Sequence, residues 1–224
     1  MINRIQNVVL SLTAAGLIFT MPALIQTPIS SVAHAESSTQ VSTTKVTKKR
    51  VSKKVPAMRN RVYSQLARAQ KLSDDGDKIA GFEVLDEVKD RLEQLNSYEQ
   101  AMLFNFYGFM YYANDDLASA IDSFEQVIAQ EAIPESLYLS TTYSLAQLAM
   151  QQQDYKKALV FLNQWQASNT KDITANQHIV FAQVHYQDKN FNSALEHVIA
   201  ANDSHKLAGG IAKEPWLILQ RAAY

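Results

Sequence analysis

Five histidines are among the side chains of this chain that could act as metal ligands or general bases. His178 and His185 lie seven residues apart on one predicted helix, at positions that normally pack against a neighbouring helix. His197 and His205 have no carboxylate three or four residues away, where a second ligand on the same helix face would stand. The chain has no cysteine, which excludes thiolate nucleophiles and zinc–thiolate sites. Because no ligand set is complete, the pattern predicts ordinary helix histidines and no metal site.

Two aspartate clusters, at residues 74–77 and 115–116, resemble catalytic or calcium-binding carboxylates only superficially. Both lie at predicted turns, where an aspartate caps the following helix and interacts favourably with its dipole. The spacing of a calcium-binding loop is absent. The chain also lacks a glycine-rich phosphate loop and a Ser–His–Asp arrangement in a strand–turn–helix context. The sequence therefore predicts no catalytic residue, no cofactor and no enzymatic activity.

The elements that must position these side chains are best seen in residues 101–127, which predict two helices joined by a tight turn. The first helix has an apolar face at helical spacing, formed by Phe104, Tyr107, Gly108 and Tyr111. Residues 114–116 break this pattern with Asn-Asp-Asp, which favours turns and helix N-caps. A second apolar stripe begins at Leu117. Gly108 and Ala120 are predicted to let the two helices approach closely.

The same pattern recurs along the chain. A polar turn is followed each time by a small residue in the second helix, and these residues are spaced 39, 38 and 36 apart: Gly81, Ala120, Ala158 and Ala194. The first helices are expected to start near Val62, Ala101, Leu139 and Ala175. Each keeps a small residue at its eighth position: Ala69, Gly108, Ala146 and Ala182. The excess over the usual period of about 34 is expected in the second helices or in the loops between repeats.

These residues resemble the tetratricopeptide (TPR) signature. The resemblance predicts an all-α TPR solenoid of paired antiparallel helices over residues 58–224, with about four repeats and the start of a fifth. The fifth unit opens at Pro215, and Trp216, Leu219 and Ala223 are in phase with the repeats. Its apolar Trp-Leu-Ile-Leu run suits a capping helix poorly, so we expect the chain to correspond to the N-terminal part of a longer protein. The alternative is that this helix is itself the cap.

The N-terminal region has the pattern of an exported protein. Residues 1–35 predict a signal peptide cleaved after Ala35, with Arg4, an apolar run over residues 8–21 and an Ala-His-Ala cleavage motif. An uncleaved membrane anchor is the alternative. Export of a chain without cysteine predicts a periplasmic location.

Residues 36–57 predict a basic, disordered linker rich in Ser, Thr and Lys. It is either a solvated spacer or an arm that contacts anionic phospholipid or an acidic partner. From Val62 onward the chain has nine more acidic than basic residues, so nucleic acid is not expected as a partner.

The concave face of the array is the surface predicted to bind a protein partner. By resemblance to TPR proteins, it is lined by nine residues of the first helices, which we call the groove residues: Asn105, Phe109, Tyr112, Tyr143, Gln147, Met150, Ile179, Gln183 and Tyr186. They are aromatic, apolar or amide side chains with no charge, which favours an internal peptide segment or a partner helix as the ligand. The alternative is that some of them pack inside the superhelix.

A narrower resemblance rests on four segments: residues 57–70 (AMRNRVYSQLARAQ), 95–102 (LNSYEQAM), 108–113 (GFMYYA) and 143–148 (YSLAQL). With these, residues 54–224 resemble periplasmic TPR proteins associated with TonB energy-transduction systems. The resemblance implies a scaffold that works with TonB–ExbB–ExbD-type subunits, which energise outer-membrane transport of iron carriers or haem. There are two alternatives. One is a general periplasmic adaptor in envelope assembly or cell-wall remodelling, and the other is the docking arm of a longer enzyme. The sequence leaves the oligomeric state open.

Overall fold

The computed structural model describes residues 54–211 and 213–224. Over these residues the chain forms helices and no strand, as the all-α prediction requires. The predicted signal peptide and residues 36–53 of the predicted linker lie outside the described residues. The α-helices are α1 (Asn60–Asp74), α2 (Lys78–Lys89), α3 (Ser97–Tyr112), α4 (Leu117–Ala129), α5 (Glu135–Gln151), α6 (Tyr155–Ser168), α7 (Ala175–Gln187), α8 (Phe191–Leu207) and α9 (Glu214–Ala223). A short 3₁₀-helix, Leu92–Gln94, precedes α3.

The helices pack in consecutive pairs. The most extensive contacts join α1 with α2, α3 with α4, α5 with α6, and α7 with α8. Each pair then contacts the first helix of the next pair, and α9 packs against α8 and α7. Four predicted repeats and the opening helix of a fifth are therefore present.

The turns inside the four pairs share one geometry. The residue before each cap has a positive φ, which is 93° at Gly76, 60° at Asp115, 61° at Gln153 and 63° at Lys189. The next residue is an Asp or Asn whose side chain accepts a hydrogen bond from the backbone N–H three residues later: Asp77, Asp116, Asp154 and Asn190. These side chains satisfy an N–H group that the helix start would otherwise leave without a partner. The predicted capping role of the turn aspartates Asp77 and Asp116 is confirmed.

The small residues of the repeat pattern lie where the paired helices touch, and all of them are buried. At Gly108 a Cβ would lie 2.6 Å from Cε1 of Phe124 on α4, so the Phe124 ring or its helix would have to shift. Ala120, which approaches from α4, is fully buried. The prediction that small residues set the spacing of α3 and α4 is confirmed.

Two helix starts differ from the sequence prediction. α3 begins at Ser97 and α5 at Glu135, four residues earlier than expected in both cases. The side chain of Asn96 caps α3 in a reciprocal capping box with Glu99, and Pro134 precedes α5. The capping box therefore sets the start of α3, and α5 begins directly after Pro134. Part of the extra repeat length lies in first helices, not only in second helices or loops as predicted.

The buried side chains form three clusters along the array. One joins α1, α2 and α3, a larger one runs from α3 to α7, and a small one joins α7, α8 and α9. The fourth repeat also contains buried polar atoms without a hydrogen-bond partner among the described residues: Nε2 of Gln183, Nδ1 of His185 and Oδ1 of Asn202. Such atoms reduce stability, because they lose water without gaining a partner.

The first repeat is joined to the second by a charged clamp. The carboxylate of Glu99, whose side chain is fully buried, accepts hydrogen bonds from Nε, Nη2 and the backbone N–H of Arg59, at 2.7–2.8 Å. It also accepts from the backbone N–H of Asn96 at 3.0 Å. Nδ2 of Asn96 donates to the carbonyl oxygen of Ala57. The segment before α1 is therefore fixed to the N-terminus of α3.

No helix among the described residues is both long and apolar enough to cross a membrane.

Candidate protein-binding surface

Four of the nine groove residues are buried. Asn105, Met150, Ile179 and Gln183 are only 3–8% exposed. Met150 belongs to the large central cluster, and Ile179 packs in the cluster that contains Trp216 and Leu219 of α9. Their low exposure favours, for these four residues, the alternative that they pack inside the superhelix.

The other five groove residues are half-buried: Phe109, Tyr112, Tyr143, Gln147 and Tyr186. Phe109 and Tyr112 on α3 and Tyr143 on α5 all pack against the central cluster. Tyr186 packs instead against the cluster of the fourth repeat. We call these three half-buried rings of the second and third repeats the aromatic patch; Tyr186 does not belong to it.

The rings of the patch are held by buried aromatic residues. Phe109 meets Phe124 edge-on with ring centroids 5.3 Å apart, and Tyr143 lies 5.3 Å from the ring of the buried Trp165. Burial raises the pKa of the Tyr143 phenol above its usual value, so this hydroxyl is neutral at physiological pH. The patch combines fixed rings with the amide of Gln147 and has no charged side chain among the groove residues. It can offer apolar contact area and a few hydrogen bonds, but no acid–base chemistry.

Comparison with known proteins identifies the architecture. No protein-family model matches the chain, and no curated protein matches it. Two crystal structures of one Podosopora anserina protein, described as a kinesin light chain with nearly identical TPR-like repeats, are similar to it. The first has a TM-score of 0.52 and 19% identity over 73% of this chain and 83% of that chain. The second, a point variant of the same protein, has a TM-score of 0.53 and 19% identity over 75% and 86%.

The fold is TPR-like. At this level of identity the similarity concerns the fold alone. The predicted repeat architecture is thereby confirmed, whereas the TonB association and the periplasmic location stay predictions from sequence.

One exposed ring on the TPR-like array was missed by the sequence analysis. Phe191 is 44% exposed and meets Tyr186 edge-on, with ring centroids 5.4 Å apart. It is the first residue of α8, directly after the cap Asn190. Leu117 and Tyr155 hold the same position in the two preceding repeats and pack against the central cluster. Comparing the repeats at this position could have identified Phe191.

The histidines of the fourth repeat come together in a way that their spacing did not indicate. Nδ1 of His178 on α7 and Nδ1 of His197 on α8 are 2.9 Å apart, and the rings of His185 and His197 stack at 5.6 Å. Burial, followed by the neighbouring charges of His178 and His185, lowers the pKa of His197 to about 4. A neutral pair can share one N–H···N hydrogen bond, whereas two protonated rings would oppose each other. Among the described residues, no group of three or more His, Cys, Asp or Glu could hold a metal ion.

Proposed function

We propose that this chain is a non-enzymatic scaffold whose TPR-like array holds an internal segment or a helix of a partner protein against the aromatic patch of α3 and α5. The observation that carries the proposal is the grouping of Phe109, Tyr112 and Tyr143 on one core cluster, half-buried and without a charged groove residue beside them. Supported rings lose little side-chain entropy on binding, which favours their use as contact surface. The TPR-like fold supports the proposal, because such arrays present extended concave surfaces for binding.

The more specific proposal is a periplasmic adaptor that works with TonB–ExbB–ExbD-type subunits in outer-membrane iron or haem uptake. It is supported by the sequence resemblance of residues 54–224 and by the signal-peptide pattern of residues 1–35.

The first experiment is crosslinking and pull-down of the tagged chain from Gram-negative periplasm, with the partners identified by mass spectrometry. Recovery of TonB, ExbB or ExbD homologues would support the specific proposal. Their absence, with another envelope complex enriched, would contradict it and leave the scaffold proposal in place.

The second experiment tests the surface itself. Tyr112→Ala combined with Tyr143→Ser should weaken partner capture, since both changes remove contact area from the patch. Tyr143→Phe keeps the ring on Trp165 and separates the effect of the hydroxyl from that of packing. Tyr224→Ala is the matched control, because Tyr224 is 84% exposed and lies on no core cluster. Unchanged capture by the double variant, with the helical circular dichroism signal retained, would contradict the proposed surface.

A further inference from the structure

We infer that the TPR-like array has a second binding site, a pocket at the junction of the first two repeats that accepts one carboxylate group of a protein partner. The inference deepens the proposed function, since it names a chemical group that the partner should carry. The pocket lies between the start of α1, the end of α2 and the loop that leads to α3. It is lined by Arg59, Arg61, Val62, Gln65, Val88, Arg91, Gln94 and Leu95.

In this pocket Arg59 is held in place by short hydrogen bonds, and Arg91 is oriented by longer, weaker ones. Nε and Nη2 of Arg59 bind the buried carboxylate of Glu99, and Nη2 also donates to the carbonyl oxygen of Gln94 at 2.7 Å. Nε and Nη2 of Arg91 donate to the carbonyl oxygen of Glu87 at 3.3 Å, and Nη2 donates to Oε1 of Gln65 at 3.4 Å. These bonds use Nε and Nη2 of both guanidinium groups, so the Nη1 groups are the donors left for a ligand among the described contacts. Fixing the arginines beforehand lowers the entropy lost on binding.

The charge balance of the lining favours an anion. Three guanidinium groups line the pocket and no acidic residue does, so Glu99 behind Arg59 neutralises only one of them. Arg61 lies exposed on the first turn of α1. The floor is formed by the buried side chains of Val62, Val88 and Leu95. An apolar floor strengthens a charge-assisted hydrogen bond, because it replaces water beside the ion pair.

The size of the pocket and the negative charge of the surrounding chain favour a ligand that presents a single carboxylate group. The pocket has a volume of about 90 Å³. This volume holds one carboxylate and is far below the roughly 300 Å³ at which cofactor and drug-sized sites begin. Asp90 and Glu93, next to the lining in sequence, are exposed, and residues 62–224 have nine more acidic than basic residues. A polyanion would be repelled by this surface, whereas one carboxylate on an otherwise neutral segment would not.

The test uses acetate as the minimal probe and the intact chain. Acetate replaces chloride at constant ionic strength, and the Nε–Hε signals of the arginine side chains are followed by ¹⁵N–¹H NMR. We expect saturable shifts at Arg61 and Arg91, together with the amides of Val62 and Val88. Arg68 is the matched control, because it is exposed on the same helix and does not line the pocket. Equal, linear shifts at Arg68 and Arg61 would contradict the site.

Two variants distinguish binding at a specific site from nonspecific attraction of acetate to positive charge. Arg61→Gln should weaken acetate binding about tenfold, the effect of one charge-assisted hydrogen bond, whereas Arg68→Gln should leave it unchanged. Both positions are exposed, so folding should be retained. Equal affinities in the two variants would overturn the inference.

Three short peptides then identify the source of the carboxylate. One has a single Glu and an amidated C-terminus, the second has Gln in its place and a free C-terminus, and the third has Gln and an amidated C-terminus. Competition with acetate by the first or by the second assigns the group to a side chain or to a chain terminus. Equal competition by all three would contradict recognition of a carboxylate. Because acetate binding does not involve Tyr112 or Tyr143, failure here and failure of the aromatic patch are distinguishable.

Discussion

Neutralising Glu99 should loosen the junction between the first two repeats. Burial by itself would raise the pKa of this carboxyl, but the hydrogen bonds and the charge from Arg59, with the N–H of Asn96, outweigh it and lower the pKa to about 2. Relative to the ordinary value of 4.5, this difference corresponds to about 3 kcal/mol of folding free energy. The side chain of Arg59 is 55% exposed, and solvent around it reduces the value. We therefore expect Glu99→Gln to lower the free energy of unfolding by about 2–3 kcal/mol at pH 7.

The pH dependence of stability tests the same reasoning. In the folded state Glu99 stays ionised at pH values below its ordinary pKa. Between pH 4.5 and 2 the unfolded state therefore binds more protons than the folded state. The stabilising contribution of Glu99 is complete above that window and is lost within it. Urea unfolding followed by circular dichroism, at pH values between 2 and 7, should show a steeper loss in the wild-type chain than in Glu99→Gln.

A matched control and a partner variant complete the experiment. Glu93→Gln removes an exposed carboxylate from the same loop and should change stability by less than about 0.5 kcal/mol. Arg59→Met should destabilise the chain more than Glu99→Gln does, because it leaves a fully buried carboxylate without its guanidinium partner. A stability of Glu99→Gln within about 0.5 kcal/mol of wild type, with the same acid profile, would refute the role of the clamp.

Three further predictions concern the helix contacts, the turns and the histidines. Gly108→Ala should lower stability by about 1–3 kcal/mol in thermal unfolding, because the added Cβ would lie 2.6–2.8 Å from three ring atoms of the buried Phe124. Gln153→Gly should raise stability by about 0.5–1 kcal/mol, since φ is 61° there, whereas Gln152→Gly, at φ −76°, should not. Because burial lowers the pKa values of His178, His185 and His197, the unfolded state binds more protons below pH 6.5. After correction for the intrinsic rate, amide hydrogen exchange of α7 and α8 should therefore accelerate as the pH falls from 6.5 to 4. The charges of Asp188 and Glu196 oppose the lowering of the pKa at His185. His197→Gln should reduce the acceleration of exchange.

The repeat architecture could be predicted because it depends on local signals. The small residues and the Asp or Asn caps recur within each 36–39-residue unit, so Gly108, Ala120 and Asp116 were placed correctly from their types and spacing. α3 begins four residues before the start that the repeat alignment predicts, because Asn96 and Glu99 form a capping box there. Both signals were present in the sequence, and the capping signal determined the boundary.

The surface was harder to predict, because it depends on contacts between distant residues. Ile179 fits a groove position by its place on α7, but α9 covers it. Arg59 and Arg91 stand more than thirty residues apart, and no periodic pattern joins them into a pocket. The pairing of His178 with His197 likewise depends on how α7 and α8 cross. Helical periodicity indicates which face of a helix is apolar, not which neighbour covers that face.

The Arg59–Glu99 clamp and the unpaired polar atoms of the fourth repeat should make the two ends of the array differ in mechanical stability. Charge-assisted hydrogen bonds hold the first repeat to the second, whereas the fourth relies on a small apolar cluster around buried amide and imidazole groups that lack partners among the described residues. In a linear array tension is borne in series by all the repeats, so the least stable repeat opens first. We therefore expect a chain pulled from both ends to lengthen first at α7 and α8, while the repeats that contain Tyr112 and Tyr143 keep their shape. The fourth repeat would then extend under load, while the proposed binding surface on the second and third repeats keeps its geometry.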